Sequence, residues 1–120
     1  MKVKQIIEKL NLEVKAGANR LDNEITGGYA SDLLSDVLAN SEKGNIWVTL
    51  QIHQNIVAIA SMKELSGIVI INGREPEEIT IEKAVTENIP IMVSTMPAFE
   101  LIGKLYTLGI TGMKSNVKGV

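Results

Sequence analysis

A chain of 120 residues with a formal net charge of −2 and a pI near 5.4 holds one compact domain, not two, and carries no field that would draw nucleic acid or an anionic membrane. Trp47, Tyr29, Tyr106 and Phe99 are the whole aromatic set, so there is no stacking platform for single strands and the core must be aliphatic. The absence of cysteine removes disulfides, thiolate nucleophiles and thiolate metal sites, and no apolar run nears the roughly 20 residues of a membrane span; with a charged amphipathic N-terminal segment, a cytoplasmic setting is expected.

Val3, Ile6, Ile7 and Leu10 recur at helical spacing and predict a short amphipathic helix ending near Asn11. Leu12 and Val14 alternate with charged residues as a short strand, and residues 16–23, rich in Gly, Asn and Asp, read as an irregular loop. Residues 25–30 form a short strand or turn. Ser31 or Asp32 then caps a helix running to about Asn40, with Leu33, Leu34, Val37 and Leu38 on one face and Asp32, Ser35 and Asp36 on the other.

A turn at residues 42–44 leads into a strand over 45–52, where Ile46, Val48, Leu50 and Ile52 alternate. Residues 55–65 read as a helix closed by Gly67 in a left-handed cap. The unbroken apolar run over 67–72 is the pattern of a strand buried on both faces. A helix over 79–87 ends at Asn88-Ile89-Pro90, residues 91–93 form the next buried strand, and Pro97 opens a last helix with Phe99, Ile102, Leu105 and Tyr106 on one face. The domain spans residues 1–110, and residues 111–120 are expected to be a flexible tail.

Alternating strands and helices imply an α/β domain of three α/β/α layers, with a mainly parallel sheet of about five strands and an edge strand near Leu12 free to run antiparallel. In such a sheet the strand-to-helix loops meet at one edge. Thr26, Gly27, Gly28, Ser31, His53, Asn55, Arg74 and Thr95 are the candidate binding residues, offering amides, an imidazole, a guanidinium and hydroxyls near helix N-termini to a small anionic metabolite or nucleotide. The same residues serve equally as caps and turns of any α/β fold.

His53 is the single histidine; no acidic partner for it is identifiable in the sequence, which favours a turn residue over an acid or base. Arg74 stands beside Glu75, Glu77 and Glu78, so an ion pair competes with phosphate binding. Asp32 and Asp36 lie one helical turn apart and read as a solvated face before a cation site; no metal and no cofactor are expected. The run over 109–115 resembles a P-loop, but Met113 separates Gly112 from Lys114 and no helix pattern follows, which argues against an autonomous kinase or ATPase. Ile56 through Met62 leave the third helix almost no polar face, so a homodimer is expected with Val57, Ala58, Ser61 and Met62 at its interface.

Thr26-Gly27-Gly28-Tyr29 with Ser31-Asp32-Leu33-Leu34-Ser35-Asp36, then His53-Gln54-Asn55-Ile56-Val57-Ala58 and Asn72-Gly73-Arg74-Glu75-Pro76, resemble the central motif and later loops of the DRTGG domain family over residues 25–110. Glu24-Ile25 stand where the family signature has Asp-Arg. The resemblance implies a module similar to the N-terminal domain of HPr kinase/phosphorylase and, more distantly, to the uridine-nucleotide-binding domain of Mur ligases. Related domains accompany CBS-domain pyrophosphatases and phosphotransacetylases in assembly or regulation. A noncatalytic regulatory or oligomerisation module follows from that resemblance, in stand-alone form; the alternatives are a small enzyme acting on a phosphorylated substrate and a protein-binding adaptor.

Overall fold

The computed structural model describes residues 1–113. Val3 and Ile6 are buried along one side of α1 (Val3–Leu10), and Asn11 stops it in the left-handed region at φ 53°, donating its N–H to Ile7 O. The chain continues through β1 (Glu13–Ala16), a single 3-10 turn (Ala18–Arg20), β2 (Gly27–Ala30), α2 (Leu34–Asn40), β3 (Asn45–Thr49), α3 (Asn55–Met62), β4 (Gly67–Ile70), α4 (Glu78–Glu87), β5 (Ile91–Val93) and α5 (Ala98–Thr107).

The five strands form one sheet in the order β1-β5-β4-β3-β2. β2, β3, β4 and β5 run parallel, each beside its predecessor, and β1 closes the far edge antiparallel to β5 with a register shift between Val14 and Ala16. Stepwise right-handed crossovers in one direction send their helices to one face. α2, α3 and α4 accordingly cover Trp47, Ile68, Ile70, Ile91 and Val93, whereas α1 and α5 cover Ile46, Val48, Val69, Ile71 and Met92. The period-2 split of β4 and β5 between two apolar layers is why these strands read as continuous apolar runs.

Three local expectations change. Gly67 does not cap α3: the helix ends at Met62, Glu64 takes the left-handed φ of 53°, and Gly67 opens β4. A Cβ on Gly67 would press Ile46 Cδ1, Met92 Cε and Pro90 Cβ at 3.3 Å, so tight packing under the sheet explains the glycine. Neither Ser31 nor Asp32 caps α2, which starts at Leu34 with Leu33 in the cap position and no side-chain cap. The later start rotates the buried face, leaving Val37 inside while Leu33 is 65% and Leu38 40% exposed.

Within the segment expected as a tail, Thr111 O accepts the Gly28 N–H at 3.0 Å and the Thr111 hydroxyl donates to Met113 O at 3.0 Å. Residues 114–120, including Lys114 and Ser115 of the P-loop-like run, lie outside the described residues. No helix among the described residues is long and apolar enough to cross a membrane.

Candidate functional site

The eight candidate binding residues divide between the two ends of the sheet. Ser31, His53, Asn55, Arg74 and Thr95 follow the C-terminal ends of strands. Thr26, Gly27 and Gly28 lie at the N-terminal end, because the glycines begin β2, paired with Asn45 and Ile46 at the start of β3. Four residues of strand separate Gly27 from Ser31, roughly 13 Å at about 3.3 Å per residue, so a single small ligand does not bridge the two groups.

At the N-terminal end the Thr-Gly-Gly segment is engaged internally. Thr26 N–H donates to Gly44 O at 3.0 Å, its hydroxyl donates to Lys43 O at 2.8 Å, and Asn45 Nδ2 donates back to that hydroxyl at 3.3 Å. Gly28 N–H is held by Thr111 O, and a Cβ on Gly27 would come within 2.8 Å of that same carbonyl. Gly27 therefore admits the chain's own returning segment. Thr26 borders open space, between a cavity of about 560 Å³ lined by Arg20, Lys43, Glu64 and Glu87 and one of about 500 Å³ lined by Tyr29, Asn40, Lys43 and Met113, and Gly28 borders a separate groove toward α5.

The C-terminal end is organised by Asp32, which sequence reasoning treated as a cap or a solvated carboxylate. Its Oδ1 accepts the Leu50 N–H at 2.7 Å and the Thr49 hydroxyl at 2.8 Å, and its carbonyl accepts Gln51 Nε2 at 3.0 Å. Arg74 reaches the same loop from the other side, donating from Nη1 to Leu50 O at 2.6 Å. Glu75 is drawn off to Lys15 at 2.6 Å, and the neighbouring Glu75 and Glu13 carboxylates raise the pKa of Lys15. The ion pair expected for Arg74 is thus made by Lys15.

His53 does gain an acidic partner. Its Nδ1 lies 3.1 Å from Glu77 Oε2, both side chains being substantially exposed. Glu77 stands 24 residues along the chain, just before α4, where its N–H also donates to Ile52 O at 3.1 Å; no local signal marks that pairing. Asn55 opens α3 and is exposed. Thr95 is exposed too, and the turn after β5 is made instead by Ser94, whose hydroxyl accepts the Met96 N–H at 3.1 Å.

β4 sends its helix to one face and β5 sends α5 to the other, so their ends form the crevice where parallel sheets commonly take ligands. Here two main-chain bonds close it, Asn72 N–H to Met96 O at 2.9 Å and Gly73 N–H to Ser94 O at 2.7 Å. Asp36, the other expected carboxylate, bonds to Asn40 Nδ2 at 2.9 Å and the Tyr29 hydroxyl at 2.8 Å. Bonds from Asn40, Tyr29 and Ser31 hold its carboxyl below the usual range, and the Tyr29 phenol is pushed up, chiefly by its bond to Asp36. No three acidic or imidazole side chains among the described residues are grouped to hold a metal ion.

Of the four residues expected at a dimer interface, Val57 is fully buried within the subunit. α3 occupies the middle of a helical layer between α2 and α4, and that flanking accounts for most of its apolar character. Ala58, Ser61 and Met62 remain exposed.

No protein-family model matches the chain, and no curated protein matches it. Among solved structures it is similar to the crystal structure of the CBS and DRTGG domains of the regulatory region of Clostridium perfringens pyrophosphatase complexed with an activator, diadenosine tetraphosphate, at TM-score 0.70 and 16% identity over 96% of this chain. The chain spans about half of that structure, 51% of its length. Likeness at this identity is a likeness of fold, and the fold of this chain is DRTGG-like.

Proposed function

We propose that this domain is a noncatalytic regulatory module that senses a small anionic metabolite or nucleotide at the C-terminal end of its sheet and acts through assembly with a second copy. Arg74 carries the sensing half. One of its nitrogens bonds to Leu50 O while the side chain stays exposed, so the remaining donors of its planar fork are available to a phosphate. His53 and the start of α3 lie in the next strand-to-helix loop. Support for a regulatory role comes from the likeness to a pyrophosphatase regulatory region solved with a nucleotide activator.

Thermal-shift measurement against adenine nucleotides, dinucleoside polyphosphates and phosphorylated metabolites tests the sensing half. A ligand at 100 times its dissociation constant adds about 2.7 kcal/mol of stability, and Arg74→Ala abolishes the shift without abolishing the fold. Silence across the panel, or a shift untouched by Arg74→Ala, overturns it.

A small enzyme acting on a phosphorylated substrate is the second reading, favoured by the His53–Glu77 pair. A neutral His53 with its proton on Nδ1 donates to Glu77 and leaves Nε2 as a base. Under that reading His53→Ala lowers any detected turnover by about 10²-fold or more.

A further inference from the structure

The two edges of the sheet are finished in opposite ways. β1 is bulged and charged, with Lys15 paired to both Glu13 and Glu75, devices that keep an edge from pairing with another chain. β2 is Gly-Gly-Tyr-Ala, without charge, proline or bulge. Thr111 covers its first half by taking the Gly28 N–H, while Ser31 N–H points inward to Val48 O at 3.3 Å. Alternation along the strand then turns the N–H and C=O of Ala30 outward, as it does those of Gly28. Ala30 is exposed.

Apolar surface gathers on the elements beside that edge. A groove of about 240 Å³ runs between Gly28, Ala30 and the α5 residues Ile102 and Tyr106. On the α5 stripe Phe99 is 88% and Tyr106 54% exposed; on the opposite face of the sheet α2 shows Leu33 and Leu38.

We infer that β2, with the flanking stripe of α5, the exposed Leu33 and Leu38 of the α2 side and Met113, forms a two-fold contact with a second copy of this chain. The inference rests on the assembly half of the function proposed above and gives it a surface. A two-fold axis normal to the sheet sets two β2 edges antiparallel and keeps α5 beside its counterpart, a self-complementary arrangement in which each half supplies what the other needs. The exposed parts of Leu33, Leu38, Phe99, Tyr106 and Met113 amount to on the order of 600 Å² per subunit at about 200 Å² for a whole large side chain. That approaches the ~800 Å² per partner of a standard interface before main-chain surface is counted.

Sedimentation velocity on the 120-residue chain, with Ala30→Pro, Tyr106→Glu and Met62→Glu, tests the contact. Proline removes the outward N–H at an edge position that tolerates it, and glutamate at Tyr106 charges the stripe at an exposed site. The expected result is a wild-type dimer whose dissociation constant rises at least about tenfold in Ala30→Pro and in Tyr106→Glu and is unchanged in Met62→Glu. If circular dichroism shows the proline variant unfolded, Tyr106→Glu decides. A dimer that withstands Tyr106→Glu overturns this contact and leaves assembly standing, on the α3 face if Met62→Glu dissociates it. A wild type that is only monomeric at about 100 μM overturns the contact and the assembly half together.

Discussion

Asp32 and Arg74 hold opposite sides of a single residue: the Asp32 carboxylate accepts the Leu50 N–H at 2.7 Å, and the Arg74 guanidinium donates to the Leu50 carbonyl at 2.6 Å. The loops after β2 and β4 are thereby clamped onto the loop after β3. Asp32→Ala removes the two bonds its carboxylate accepts, from the Leu50 N–H and the Thr49 hydroxyl, and leaves its carbonyl to accept Gln51 Nε2. The loss of bonds to a charged group is expected to cost about 1–3 kcal/mol. Arg74→Ala, which leaves the Leu50 carbonyl to water, is expected to cost less. Urea denaturation followed by Trp47 fluorescence checks the order; equal midpoints for Asp32→Ala and wild type refute the clamp.

The Tyr29–Asp36 bond predicts a stability profile with two limbs. Asp36 is held below its ordinary value, so its contribution is present above the unfolded pKa of about 3.9 and is lost as pH falls through the lower folded value. Tyr29 is raised, so its contribution is complete below about pH 10 and is lost as pH rises through the higher folded value. Tyr29→Phe should remove the alkaline limb. Ultraviolet titration should show one phenol ionising above the ordinary range in the wild type and missing from Tyr29→Phe.

Adjacent glycines are expected to differ. A Cβ on Gly27 meets Thr111 O at 2.8 Å, whereas on Gly28 the nearest contact is Ile110 Cγ2 at 3.6 Å. Gly27→Ala should cost about 1–3 kcal/mol through overpacking and speed protease cleavage near Thr111, and Gly28→Ala should stay within about 1 kcal/mol. Limited proteolysis with mass spectrometry reads the difference, and identical behaviour would contradict the docking role given to Gly27.

Gly17 is a sharper case, with φ at 76° and a would-be Cβ only 2.4 Å from the Pro90 nitrogen. Alanine there meets both left-handed strain and main-chain atoms that cannot move aside. A loss above about 2 kcal/mol is expected in thermal or urea unfolding, and a neutral substitution would show that residues 16–23 are not held against the start of β5.

The alternating and continuous apolar patterns made the three-layer class and the parallel strands legible in advance and left β1 free to take the antiparallel edge it occupies beside β5. Those signals are local, and the core obeys them: Trp47 falls between Ile46 and Val48 on the opposite layer, as period 2 requires. Partners far apart in sequence were not legible. Asp32 turns to Leu50, His53 meets Glu77 and Gly27 makes room for Thr111, and no spacing rule connects these pairs. The Thr-Gly-Gly segment lies a full strand length from its expected place after β2, because paired glycines before a helix signal a turn as readily as a strand. A shift of that size carries a residue to the other end of the sheet.

Strand order also sets a timetable for the chain. β2, β3, β4 and β5 each join the neighbour made just before, so four strands can add one after another as they leave the ribosome. β1 is synthesised first, yet its partner is β5, with Glu13 opposite Val93. The earliest strand therefore waits for nearly the whole domain before it has anything to pair with. Moving α1 and β1 to a position after α5 by circular permutation would shorten that wait, and the folding rate would report how much of the barrier lies in closing this last edge.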